Sequence, residues 1–176
     1  MNLPIVPRRA FLTSGVGHHI HKLMSFELAL RDAGISSFNL VRVSSIWPPG
    51  CRLVTQDTGL RDLKPGQVVF TVLAERASNE PGQQVSAAVG LAVPEDASEA
   101  PHHGYLAEVD ACSVPAGECG EHAEALAAEM LFTLMDVKVA DMKTLYRVAS
   151  AQVEQPNDAG SLEWCTVVSA MVFCSY

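Results

Sequence analysis

Apolar residues along this chain fall into two kinds of pattern. In the first, branched apolar side chains run together with no helical period, over residues 38–43 and 67–73 and over the longer, smaller-residue stretches 85–93 and 164–173. Such runs predict strands covered on both faces, because a half-exposed strand alternates polar with apolar positions. Residues 104–110 and 144–149 are weaker strand segments by the same criterion. In the second kind the apolar positions recur at helical spacing. Over 25–33, Phe26, Leu30 and Ala33 form one stripe, with Ser25 placed to cap the start and Gly34 to end it. Over 118–135, Ala123, Leu126, Ala127, Met130, Leu131 and Leu134 follow the i, i+3, i+4, i+7 rule, while Glu118, Glu121 and Glu124 stand off the stripe. Pro, Gly, Asn and Asp gather at 48–50, 79–82, 94–104 and 155–161, which predicts loops there.

Strands and helices mixed in this way predict an α/β fold of the α+β type, with helices covering a sheet. No repeat or compositional break divides the 176 residues, so a single domain is expected. A chain of this length buries roughly 70% of its unfolded surface, enough for a core without disulfides or a structural metal.

Charge narrows the partners. Twelve basic against twenty acidic residues leave a net charge of −8 with no basic run, which argues against nucleic acid. Only 18% of residues are charged, in keeping with extra surface buried in an oligomer. Five cysteines, an odd number with no Cys-x-x-Cys pair, point to a reducing, cytoplasmic setting. Two Pro and two Arg interrupt the first fifteen residues where a secretory leader needs an apolar stretch. The longest apolar run, 165–174, falls well short of the ~20 residues of a membrane span, so no membrane association is expected.

Chemistry concentrates in Asn39-Leu-Val-Arg-Val-Ser44-Ser45-Ile-Trp-Pro48-Pro49-Gly50. A strand that runs into a proline-forced turn can hold its last peptide bonds in a fixed geometry, with the Ser45 hydroxyl near the Ser44 carbonyl carbon. The plain alternative is a strand end whose hydroxyls satisfy loop backbone. Six histidines include His18, His19 and His21 in one cluster and His102, His103 and His122 further on, the last near Cys112 and Cys119. None has zinc-site spacing with a matching second pair, so no metal is expected. Phosphate-binding, nucleophile-elbow and dinucleotide motifs are absent.

Read together, Gly15-Val-Gly17, Ser25-Phe-Glu-Leu-Ala-Leu30, Asp32-Ala-Gly34, Asn39-Leu-Val and Val43-Ser-Ser-Ile-Trp-Pro-Pro-Gly50 resemble the pyruvoyl-dependent arginine decarboxylases. The match continues through Leu63-Lys-Pro-Gly66, Asn79-Glu-Pro81, Ala87-Ala-Val-Gly-Leu-Ala-Val-Pro94, Gly104-Tyr-Leu-Ala-Glu108 and the apolar segment from Trp164. Ser-Ser-Ile-x-Pro-Pro is its specific part.

The resemblance implies a four-layer αββα sandwich and a cofactor made from the chain itself. By that likeness the Ser45 hydroxyl attacks the Ser44 carbonyl, the amide becomes an ester, and β-elimination divides the protein into a β chain, 1–44, and an α chain, 45–176, headed by a pyruvoyl group. The substrate implied is L-arginine, held as a Schiff base on that group and converted to agmatine and carbon dioxide. Glu108 matches the family's proton donor, and its apolar neighbours would raise its pKa. Glu27 matches the residue that holds the guanidinium, although archaeal members carry Asp there and Glu is one methylene longer. Asn39 matches a residue near the cleavage site and is expected to polarise the Ser44 carbonyl; in a strand continuing to the serine pair it would share a face with Ser45. Each has an ordinary alternative: an edge-strand polar face for Glu108, a first-turn charge for Glu27, a local backbone contact for Asn39. The assembly implied is a trimer of αβ protomers with active sites between neighbours. Two other readings are the same chemistry on another amino acid, and an uncleaved fold relative acting as a partner subunit.

Overall fold

A computed structural model describes residues 5–95, 102–135, 141–156 and 160–175. In chain order the elements are β1 (Arg9–His19), α1 (Lys22–Asp32), β2 (Asn39–Arg42), β3 (Ile46–Trp47), β4 (Arg52–Leu53), α2 (Gln56–Leu60), β5 (Val68–Ser78), β6 (Gln84–Pro94), β7 (Gly104–Cys112), α3 (Ala116–Met135), β8 (Met142–Gln152) and β9 (Trp164–Ser175). Nine strands make two sheets, ordered β2-β5-β9-β1-β4 and β3-β7-β6-β8.

Side-chain alternation shows how the layers stack. Along β9, Cys165, Val167, Met171 and Phe173 join Val85, Ala87, Val89 and Leu91 of β6 and Leu106 of β7 in one core between the sheets. The alternate residues Val168, Ala170, Val172 and Cys174 pack with Ala29, Leu30 and Ala33 of α1. On the far side, Ala88 and Ala92 of β6 meet Cys119, Ala123, Ala127 and Leu131 of α3. The order is therefore helix, sheet, sheet, helix: the αββα sandwich expected from the resemblance. Strands buried on both faces need no polar alternation, which explains the unbroken apolar runs of β6 and β9.

The two helices α1 and α3 each pack against a glycine of the sheet beneath. A Cβ on Gly17 would lie 2.2 Å from the Ser25 carbonyl oxygen of α1, and one on Gly90 would lie 2.2 Å from the Ala123 oxygen of α3. Gly90→Ala is therefore expected to cost about 1–3 kcal/mol, since the clash is with backbone that cannot turn aside. Chemical denaturation should show a lower midpoint at unchanged slope.

Several sequence expectations need correction. Ser25 does not cap α1: the N-cap position is His21, and Ser25 is buried one turn inside, bonded to the Lys22 carbonyl and to Thr166 Oγ1 at 2.7 Å. The C-terminal end is as read: Gly34 takes φ +72°, and the Gly34 and Ile35 N–H groups return to Arg31 and Leu30 in a Schellman motif. The run at 38–43 forms β2, an edge strand with Asn39, Val41 and Arg42 exposed rather than covered on both faces. Central strand β1 and the short α2 carry too little apolar pattern to stand out. Turns occupy 48–50 and 79–82 as expected, while parts of the loops at 94–104 and 155–161 lie outside the described residues. All five cysteines are free; burial pushes the Cys165 and Cys174 thiols up to about 11 and Cys51 to about 12. Among the described residues no helix is long and apolar enough to cross a membrane.

Candidate active site at the sheet-to-sheet corner

Edge strands β2 and β3 belong to different sheets, and residues 43–45 carry the chain between them. The serine pair therefore lies at a corner on the open edge of the sandwich. β2 runs parallel to β5, with Asn39 N–H donating to Gln67 and Val43 N–H to Thr71 at 3.0 Å. A continuing ladder would next pair the Val43 carbonyl with Leu73 N–H. The chain turns away instead. Ser44 is exposed, Ser45 half-buried, and beyond them Ile46 and Trp47 pair antiparallel with Tyr105 and Gly104 of β7. A β-turn then closes from Cys51 N–H to the Pro48 carbonyl, with Pro49 and Gly50 at its centre and Gly50 at φ +73°. Buried Trp47 and Pro48 anchor this side.

Two backbone hydrogen bonds hold the serine pair, one on the Ser44–Ser45 peptide and one on the peptide after it. Ile46 N–H donates to the Ser44 carbonyl at 2.9 Å, closing a three-residue turn centred on Ser45, and Leu106 N–H donates to the Ser45 carbonyl at 2.8 Å. The first donor points at the carbonyl oxygen that an attack by Ser45 would turn into an alkoxide. Its neighbour in the fold is Glu108, two residues beyond Leu106 and on the same face of β7. Glu108 Oε1 accepts the Leu73 N–H at 3.2 Å, so its carboxyl takes the place that β2 vacates on β5. Glu108 is exposed at the sheet edge, yet partial burial of its carboxyl pushes it above its ordinary range, against the opposing effects of the Leu73 N–H and the Arg42 charge.

Neither Asn39 nor Glu27 is bonded to the serine pair. Asn39 Nδ2 donates to the Gly66 carbonyl at 2.7 Å, and the extended β2 separates it from Val43 by about 13 Å at ~3.3 Å per residue. Asn39 and Ser45 do not share a strand face, because β2 stops at Arg42. The donor to the Ser44 carbonyl is Ile46 N–H, not Asn39. Glu27 Oε1 pairs with Arg31 Nε at 3.0 Å on α1, which lies over β1 and β9. Its helical neighbours Phe26 and Leu30 line a pocket of about 440 Å³ with Asn39, Arg42, Leu73 and Glu75. A second, apolar pocket of about 440 Å³ opens beside Ser44 against Val43, Ile46, Pro48, Phe70 and Phe173. Among the described residues no three His, Cys, Asp or Glu side chains converge as metal ligands.

A serine pair held by two backbone donors, near a carboxyl whose pKa is raised by partial burial, fits the making and use of a pyruvoyl group. Residues 9–176 match the family model described as pyruvoyl-dependent arginine decarboxylase, which makes the chain a lyase that depends on a covalent pyruvoyl group. The chain belongs to the pyruvoyl-dependent arginine decarboxylase family. It is 48% identical over 169 residues to pyruvoyl-dependent arginine decarboxylase 1 of Methanosarcina acetivorans, covering 96% of each chain. It is 45% identical over 173 residues to the enzyme of Methanocella arvoryzae, covering 98% of this chain and 99% of that one. To pyruvoyl-dependent arginine decarboxylase 2 of Archaeoglobus fulgidus it is 47% identical over 171 residues, covering 97% and 99%.

Proposed function

We propose that the chain splits itself between Ser44 and Ser45, into residues 1–44 and 45–176, and that the processed protein converts L-arginine to agmatine and carbon dioxide in the cytoplasm. One observation carries the reading: the chain crosses the sandwich edge at Ser44–Ser45 with the carbonyl of each serine held by a backbone N–H, and Leu106, which holds the Ser45 carbonyl, stands two residues before Glu108 on β7. Ser45 Oγ is the nucleophile. Its attack on the Ser44 carbonyl carbon breaks the C–N bond and leaves an ester, while Ile46 N–H stabilises the charge that grows on the carbonyl oxygen. Loss of the Ser45 α-proton with departure of the Ser44 carboxylate cuts the chain. Water then replaces the nitrogen of residue 45 by oxygen, releasing ammonia.

The pyruvoyl group supplies an electrophilic carbonyl that takes up the substrate's α-amino group and accepts the electron pair released with carbon dioxide. Glu108 serves the step that follows. Leu73 N–H occupies Oε1, so the acid proton sits on Oε2, free to pass to the substrate's former α-carbon. Glu27 binds the guanidinium by exchanging its ion pair with Arg31 for one with the substrate, and a carboxylate suits that two-pronged donor. The separation of Asn39 from the serine pair within one chain supports active sites completed between neighbours in a trimer of αβ protomers.

Intact-mass measurement tests the first half. The purified protein should give two pieces, the larger without a free amino terminus and lighter by one ammonia than simple hydrolysis predicts; a single 18.9 kDa chain after long incubation would overturn the reading. Carbon dioxide release tests the second. Arginine should outrun ornithine and lysine, whose ammonium groups cannot make the two-pronged pair. Glu27→Gln should raise the KM for arginine about tenfold or more, since the bound guanidinium loses its counter-charge. Faster release from lysine or ornithine would keep the pyruvoyl chemistry and remove the arginine assignment.

A further inference from the structure

Three charged side chains meet where β2 ends. Arg42, its last residue, lies on the α1 side of the sheet with Glu75 of β5, and the two form an ion pair with side chains 53% and 41% exposed. Glu108 arrives from the other sheet, in the layer between, and takes the Leu73 N–H at the same point of the β5 edge. Arg42, Leu73 and Glu75 line one pocket. Glu108 thus has a permanent cation for a neighbour, and a guanidinium close to a carboxyl favours the ionised form. An ionised Glu108 has no proton to give.

Building on the role of Glu108 as proton donor, we propose that the Arg42–Glu75 pair is the positioning element for that residue: Glu75 holds the guanidinium on the helix side of the sheet and offsets its charge, so that the Glu108 carboxyl keeps its proton. Arg42 and Glu75 touch neither serine and act through Glu108. The other charges around Glu108 are engaged elsewhere. Arg76 of β5 pairs with Asp110, two residues along β7, at 3.0 Å. Arg147 of β8, across Val89 in the ladder, donates to Ser14 Oγ on β1 at 3.1 Å. On α1, Glu27 is paired with Arg31. On the opposite face of β7, α3 packs Cys119 against Val109 and exposes Glu118 and Glu121. β3 and β6 bring no charge to this face.

The test is a titration that needs no turnover. In the unsplit Ser45→Ala chain, the carboxyl of Glu108 is followed by ¹³C NMR and assigned by its loss in Glu108→Gln. Glu75→Gln should lower its midpoint and Arg42→Met should raise it, each by about half a unit or more, the scale on which a neighbouring charge acts. The double variant should return close to the parent, and Arg42→Lys, which keeps the charge, should stay near it. In the processed enzyme the alkaline limb of kcat/KM should move in the same directions. A Glu108 midpoint unmoved in both single variants, or moved the same way in both, would overturn the inference. Normal turnover in Glu108→Gln is a separate result and removes the acid role itself.

Discussion

Ser45→Ala should remain a single chain of 18.9 kDa under conditions in which the parent has split completely. The expected effect is total, because the side-chain oxygen that must reach the Ser44 carbonyl is gone and water lacks the placement that one-residue adjacency provides. Ser44→Ala should behave in the opposite way. Position 44 contributes a backbone carbonyl already held by Ile46 N–H at 2.9 Å, and an exposed hydroxyl at that position is dispensable to the bond change. Splitting at near-parental rate in Ser44→Ala and none in Ser45→Ala would assign attacked and attacking residues by one pair of denaturing gels. Replacing the Ile46 amide by an ester removes only the donor and should slow splitting about 10²-fold, the scale of one oxyanion contact. Splitting of Ser45→Ala at the same bond would remove the mechanism.

The sequence exposes what the chemistry needs and conceals how the fold delivers it. Strands β6 and β9 were legible because both faces are covered, and α3 because its buried face repeats at helical spacing. Strand β1 was not, although it is interior to its sheet: after Phe11 its helix-side face is Thr13, Gly15 and Gly17, residues that allow close approach to α1 rather than supply apolar surface. Thr13 is buried yet satisfied, its hydroxyl bonded to the Ala33 carbonyl at 2.7 Å, a long-range contact that no local pattern announces. The serine pair was legible as a motif through the residues around it. That it forms a corner between two sheets depends on which strands pair, and pairing partners lie about thirty and sixty residues downstream on β5 and β7. The same distance hides the Leu73 N–H that fixes the Glu108 carboxyl. A backbone donor such as Ile46 N–H carries no side-chain signature, whereas the Asn39 amide does.

Glu108→Gln should split normally, bind arginine, and turn over about 10² to 10⁴-fold more slowly, the usual range for removal of a placed general acid. Normal splitting is expected because the attack and elimination use Ser45 and backbone donors, and because a glutamine carbonyl can still accept the Leu73 N–H that the carboxyl accepts at 3.2 Å. The pH profile gives the more discriminating result. Partial burial raises the pKa of this carboxyl, so its neutral form persists to higher pH than for an ordinary glutamate and is lost as pH rises through the shifted value. The acid is the protonated form. Parental kcat should therefore fall on the alkaline side with a midpoint above the usual carboxylate range, and that limb should vanish in Glu108→Gln, which has no proton to lose. Glu108→Asp, one methylene shorter, would keep the proton but forfeit reach across the sandwich edge, so it should be slow while retaining an alkaline limb. Turnover of Glu108→Gln within a few-fold of the parent, or an alkaline limb that survives in it unchanged, would assign the proton transfer to another group.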